Sequence, residues 1–145
     1  MQEMTVHVDI ETIRKRPGLY VGTTNQTGVY NLIFMLVDGF IHVSNKNSVF
    51  IGITLNDDNS LVFTCNRPIV VDNDMSLAIV RALSDIFELN NSNERPHTKE
   101  IKFRPCNDLF TYERIEYYKL FNRLKELVQL NGHLIFQLMD STNKT

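Results

Sequence analysis

The sequence predicts an α/β (α+β) protein, a two-layer sandwich of helices on a mostly antiparallel, mixed sheet. Three observations carry that expectation. Residues 49–65, "VFIGITLNDDNSLVFTC", alternate apolar and polar on both sides of a polar turn, the pattern of a β-hairpin. Two longer stretches, 26–44 and 113–130, carry apolar residues with helical character instead. Short alternating runs, "KEIKFRP" and "HLIFQLMD", lie between and after those helices, so both kinds of element share one sequence.

The first element is a short helix in "DIETIRKRPG", capped by Asp9 and stopped by Pro17 and Gly18. Arg14, Lys15 and Arg16 have two readings, a phosphate site or charges paired with the helix dipole in solvent. Their place at a helix C-terminus favours the second. "GLYVGTTNQTG" reads as an extended piece and a glycine-bounded loop that leads into the helix of residues 26–44.

That helix is apolar without interruption from 32 to 37 and is expected to be buried. Asp38 inside it is a catalytic residue, a ligand contact or a leftover, because a buried carboxylate needs a partner or a function. His42 follows one turn later, at the spacing of an acid–base pair. With no nucleophile nearby in sequence, a structural hydrogen-bonded pair is favoured. Met4, Met35, Met75 and Met139 read as core filler.

In the hairpin, Val49, Ile51, Ile53 and Leu55 share one face, as do Leu61, Phe63 and Cys65. "MSLAIVRALSDIFEL" reads as a helix with Leu77, Val80, Leu83, Ser84 and Phe87 as its stripe. Polar residues and Pro96 make 90–97 a loop. Ile101 and Phe103 alternate with charges in the next strand. The helix of 113–130 places Tyr117, Leu120, Phe121, Leu124, Leu127 and Val128 at helical spacing, and "HLIFQLMD" closes as a strand. Tyr112, Tyr117 and Tyr118 beside Arg114 and Lys119 could stack bases, but helix amphipathicity explains them, so direct nucleic-acid binding is not expected.

The 145 residues fit one domain, 1–140, with a short tail at 141–145. A net charge of -2 supplies neither a basic field for nucleic acid nor an acidic mimic of it. The apolar runs are too short to span a bilayer, and the N-terminus lacks a signal-peptide core. Cys65 and Cys106 read as core or near-core thiols, so a cytoplasmic protein is expected.

"IRKRPGLYVG" followed by "TGVYNLIFMLVDGFI" resembles the opening of the ATPase domain of DNA gyrase B subunits and their type II topoisomerase relatives, which have the GHKL, or Bergerat, fold. The order of the later segments matches too. "NSLVFTCNRPIVVD" stands at the second hairpin strand and acidic motif, and "IVRALSDIFEL" at the helix after the glycine-rich turn. "KEIKFRPCNDLF" and "FNRLKELVQLNGHLIFQLMD" stand at the last strands and the long helix. The resemblance covers about residues 10–140 and implies a truncated Bergerat-type domain.

Carried over position by position, most of the family's chemistry is missing. The glutamate that acts as general base falls at Met35, whose thioether is no base. The asparagine that binds Mg²⁺ falls at Gly39, which offers no side-chain oxygen. The carboxylate that holds adenine falls at Cys65 and Asn66, or at Asn66 and Arg67 with a one-residue shift. The lid and glycine-rich phosphate loop have no counterpart, and Asp72 and Asp74 near the following helix start would repel a polyphosphate. The threonine near adenine falls at about Lys99. On this resemblance the chain is also expected to lack the domain that supplies the family's phosphate-sensing lysine.

The expectation is therefore a pseudoenzyme with a vestigial cleft of Met35, Asp38, Gly39, Cys65, Asn66, Ile69 and Lys99. No metal or cofactor is expected, with ATP and Mg²⁺ held only as weak residual ligands. It would act by protein contacts, as a homodimer, with residues 1–9 available for exchange, or on a topoisomerase-type partner. The alternatives are a residual ATP-binding domain, at most a weak ATPase of the type II topoisomerase class, or a small-molecule pocket lined by Met35, Phe40, Ile69 and Val71.

Overall fold

The computed structural model describes residues 10–43, 49–65, 75–91, 99–130, 132 and 134–141. In chain order the elements are α1 (Ile10–Lys15), α2 (Pro17–Val21), α3 (Gln26–Val43), β1 (Val49–Leu55) and β2 (Leu61–Cys65). They continue with α4 (Met75–Ala82), β3 (Ser84–Asn91), β4 (Lys99–Pro105), α5 (Tyr117–Leu130) and β5 (Leu134–Asp140). The five strands form one sheet in the order β3-β4-β2-β1-β5. β1–β2, β2–β4 and β3–β4 are antiparallel, and β5 pairs parallel to β1, so the sheet is mixed and mostly antiparallel as expected.

One face of this sheet carries the helices. Ile51, Ile53 and Leu55 of β1, Leu61, Phe63 and Cys65 of β2, and Ile101 and Phe103 of β4 are all buried on it. They meet Val29, Leu32, Ile33, Phe34, Leu36 and Val37 of α3 and Leu77, Ile79 and Val80 of α4 in one core. The opposite face carries the alternate residues, among them Lys102, Arg104, Gln137 and Met139. Gly52 sits on that face where a Cβ would lie 2.5 Å from Thr64 Oγ1 across the β1–β2 pair.

Local chemistry sets the element ends. Asn25 caps α3, its Oδ1 accepting the Thr27 N–H at 3.0 Å. The loop before α3 folds so closely over the helix that a Cβ on Gly28 would stand 1.9 Å from the Thr23 carbonyl oxygen. In the β1–β2 turn, Asn59 takes a left-handed φ of 68°, which asparagine tolerates better than most residues.

Five expectations are corrected. Pro17–Val21 is a short helix and not an extended piece, because Pro17 stands in its first turn, where its fixed φ suits a helix. Gly22, at φ 86°, then ends it. The helix expected through 89 stops at Ala82, and Ser84–Asn91 is a strand. Three carbonyls that a continuing helix would use are taken by other groups: Val80 O accepts from Ser84 Oγ at 2.5 Å, Ala82 O from Arg14 Nη1 at 2.9 Å, and Leu83 O from the Cys106 N–H at 2.9 Å. α5 begins at Tyr117, since 113–116 is held in a loop. Met75 and Met139 are exposed and fill no core, Met75 opening α4 and Met139 lying on the helix-free sheet face. The loop expected from residue 90 begins later, since Asn90 and Asn91 pair in β3, and the Asp9 cap, Met4 and residues 92–97 lie outside the described residues.

Candidate functional site

The resemblance centres its site on α3, and the helix shows how that site is built. Seven α3 residues between Val29 and Val37 are buried, and the remaining stripe runs Asn31, Met35, Asp38 at i, i+4, i+7. Asn31 uses its amide to donate to Val21 O at 2.9 Å, closing the C-terminus of α2. Met35 is half-buried and packs against the core. Asp38 is exposed, which corrects the expectation of a buried carboxylate: the stripe turns it away from the core toward water. An exposed acid carries little desolvation cost, so no partner at His42 is required. The side chains of Gly39, Phe40 and His42 lie outside the described residues.

The second part of the expected cleft is the far end of the hairpin. Cys65 closes β2 and is buried in the same core that Met35 packs against. Its partner across the β2–β4 ladder is Lys99, so the fold does bring two of the expected positions into register. Asn66, Arg67, Ile69, Val71, Asp72 and Asp74 lie outside the described residues. Among the described residues no group of His, Cys, Asp and Glu side chains could hold a metal ion.

The basic run at the end of α1 divides. Lys15 and Arg16 are exposed, whereas Arg14 reaches the Ala82 carbonyl and lies 3.7 Å from Cys106 Sγ. The dipole it complements belongs to α4 and not to its own helix. No local pattern announces a contact across that much chain.

Sequence reading missed three features. A polar cluster joins β3, β4 and the β1–β2 turn: Arg104 Nε bonds Asp85 Oδ1 at 2.7 Å, and its Nη1 lies 3.9 Å from Asp58 Oδ2. The Ser60 hydroxyl and N–H both donate to Asp58 Oδ1 and, before any effect of Arg104, hold the Asp58 carboxyl below its usual range. The bond to Asp85 in turn raises Arg104.

A second feature is a pinned loop before α5. Asn59 donates to Glu113 O at 2.8 Å and accepts from the Ile115 N–H at 3.0 Å, while Tyr30 Oη accepts from the Glu116 N–H at 2.9 Å. The Tyr112 hydroxyl donates to Pro105 O at 2.7 Å, and burial pushes its acidity constant up to about 12. Cavities of about 450 Å³, against Arg114, Tyr118 and Asp140, and about 420 Å³, against Gln26, Tyr112 and Glu113, flank this loop.

The third feature is an apolar groove of about 270 Å³ between α5 and β5, lined by Tyr117, Phe121, Val128, Phe136 and Leu138 among others. Tyr117 stacks on Phe121 at 6.2 Å and meets Tyr118 edge-on at 5.3 Å. On α3, Phe34 and Tyr30 receive Arg123 and Lys119 over their rings, at 4.2 and 5.8 Å.

Comparison with known proteins agrees with this geometry. No protein-family model matches the chain. Its sequence is 25% identical to the DNA gyrase B subunit of Halalkalibacterium halodurans over 192 positions, covering 90% of this chain and 30% of that protein. It is 38% identical to the DNA topoisomerase 4 B subunit of Staphylococcus aureus over 53 residues, covering 36% of this chain and 8% of that protein. In structure it is similar to the B subunit of DNA gyrase from Myxococcus xanthus, with a TM-score of 0.75 and 19% identity over 91% of this chain and 47% of that one.

The mixed sheet with its helix layer is therefore the fold of a gyrase B-type ATPase domain. The chain is a relative of the DNA gyrase B subunit. It spans less than a third of the length of these curated relatives. The 192 aligned positions exceed its 145 residues, so the gyrase protein carries residues in this region without a counterpart here. No described helix is long and apolar enough to cross a membrane.

Proposed function

We propose that this chain is a cytoplasmic, gyrase B-like ATPase-domain homologue that has lost catalysis and acts through protein contacts, as a homodimer or by modulating a type II topoisomerase. The observation that carries the reading is Met35, half-buried against the core at the position where the resemblance calls for a general base. A thioether takes no proton from an attacking water, and loss of a general base costs about 100- to 10,000-fold in rate. Gly39 at the metal position, and Cys65 and Asn66 (or Asn66 and Arg67) at the adenine position, remove further contacts of the same chemistry. The residues that the gyrase protein has in excess are consistent with a missing lid and phosphate loop.

Titration calorimetry with ATP and Mg²⁺, together with phosphate-release measurements, tests this. The expected result is no binding heat at submillimolar nucleotide and no release above the buffer blank. Binding in that range would replace the reading with that of a residual ATP-binding domain.

A further inference from the structure

The two edges of the sheet differ in a way that bears on the protein-contact reading. At one edge β3 carries Asp85 and Glu88, both exposed, and an irregularity in register between Ser84 and Ile86. Charges and irregularities of this kind discourage edge-to-edge pairing. At the other edge β5 pairs only with β1 among the described residues, and positions 134–139, "LIFQLM", contain no charge, proline or glycine. Ile135 and Met139 project to the helix-free face and are 53% and 51% exposed, whereas Phe136 and Leu138 project into the groove beside α5. A strand apolar on both faces reads as an interior strand, although it stands at an edge.

The order of side chains along β5 suits a second copy of the same strand. If the strand is paired antiparallel with itself about Gln137, Ile135 faces Met139, Phe136 faces Leu138 and Gln137 faces Gln137. These central pairs join residues of like polarity on the same face, while at the strand ends Leu134 faces Asp140. The arrangement uses the same edge on both copies, so it closes as a two-fold dimer whose outer strands are the two charged, irregular β3 edges. A seven-residue edge about 24 Å long and about 20 Å deep through both layers gives about 1,000 Å² in total, the size at which specific interfaces begin.

We propose that β5 pairs antiparallel with β5 of a second copy about a two-fold axis at Gln137, joining two five-stranded sheets into one. This deepens the protein-contact reading and rests on it. The two α5–β5 grooves then lie side by side, with Phe136 and Leu138 of each copy sealing the seam.

Sedimentation velocity on the full chain across micromolar concentrations is expected to show a dimer. Gln137→Lys places two ammonium groups opposite each other at an exposed position and is expected to weaken the dimer about tenfold or more, with an unchanged circular dichroism spectrum. Gln137→Cys brings two thiols to about 5 Å in Cα separation, within disulfide reach, so mild oxidation is expected to give a covalent dimer. Ile135→Cys is expected to cross-link to Met139→Cys in a mixture far faster than to itself.

A dimer that Gln137→Lys leaves intact overturns the β5 interface while the protein-contact reading stands. A monomer at all concentrations overturns the interface, and if its β5 amides resist hydrogen exchange, the edge is covered by the same chain. ATP binding in calorimetry, by contrast, overturns the functional reading whatever the oligomeric state.

Discussion

Tyr112 shows how a single side chain reports on packing. Its ring is half-buried and its hydroxyl donates to Pro105 O, so ionisation would remove that donor and place a charge in a poorly solvated site. Burial and then the Asp85 carboxylate raise its acidity constant from 10.0 to about 12. The folded state therefore favours the protonated phenol. Its contribution to stability is fully present below about pH 10 and is lost as pH rises toward about 12. Spectrophotometric titration is expected to show a late phenol that is absent in Tyr112→Phe, a variant whose urea midpoint should fall less between those limits. At the same scale, Met35 and Gly39 stand out in the sequence only against the gyrase-type helix. The exposure of Asp38 was within reach without it, since Asn31, Met35 and Asp38 lie at i, i+4, i+7 and mark the outer stripe of an otherwise apolar helix.

The junction between α4 and β3 shows what local pattern leaves open. Leu83 and Phe87 are four residues apart, as a helix requires, while Phe87 and Leu89 are two apart, as a strand requires. The decision comes from elsewhere in the chain, through Arg14, Cys106 and the pairing of Phe87 with Phe103 and Leu89 with Ile101. Arg14→Ala leaves the Ala82 carbonyl without its charged donor, and a loss of about 1.5–3 kcal/mol in chemical denaturation is expected. Arg14→Lys should recover only part of it, because one ammonium replaces the guanidinium fork that spans Ala82 O and Cys106 Sγ. The hairpin needed no such help. Ile51, Ile53, Leu55, Leu61, Phe63 and Cys65 alternate strictly, and all six are buried.

At the scale of the whole molecule, the fold class and most elements were legible because helix and strand periods are written into the apolar residues. The groove beside α5 and the place of β5 at the sheet edge among the described residues were not, since both depend on the strand order. That order also ranks local stability. β1, β2 and β4 each pair on both sides and lie over the helix layer, whereas among the described residues β3 and β5 pair on one side only. Native-state hydrogen exchange is expected to be slowest in the three inner strands, faster in β3 and fastest in α1 and α2. Comparable protection of α1 and the inner strands would contradict that ranking.

The parallel β1–β5 pair also governs how the chain can fold. Val49 pairs with Leu134 and Leu55 with Asp140, so most of the chain must be synthesised before β1 acquires its second neighbour. The early hairpin can form by itself from local contacts, but closing the sheet requires a long loop to be drawn together, and such closure is slow. During synthesis, β1 therefore waits for its second described neighbour until β5 emerges. In that interval the nascent chain is exposed to chaperone capture and mispairing.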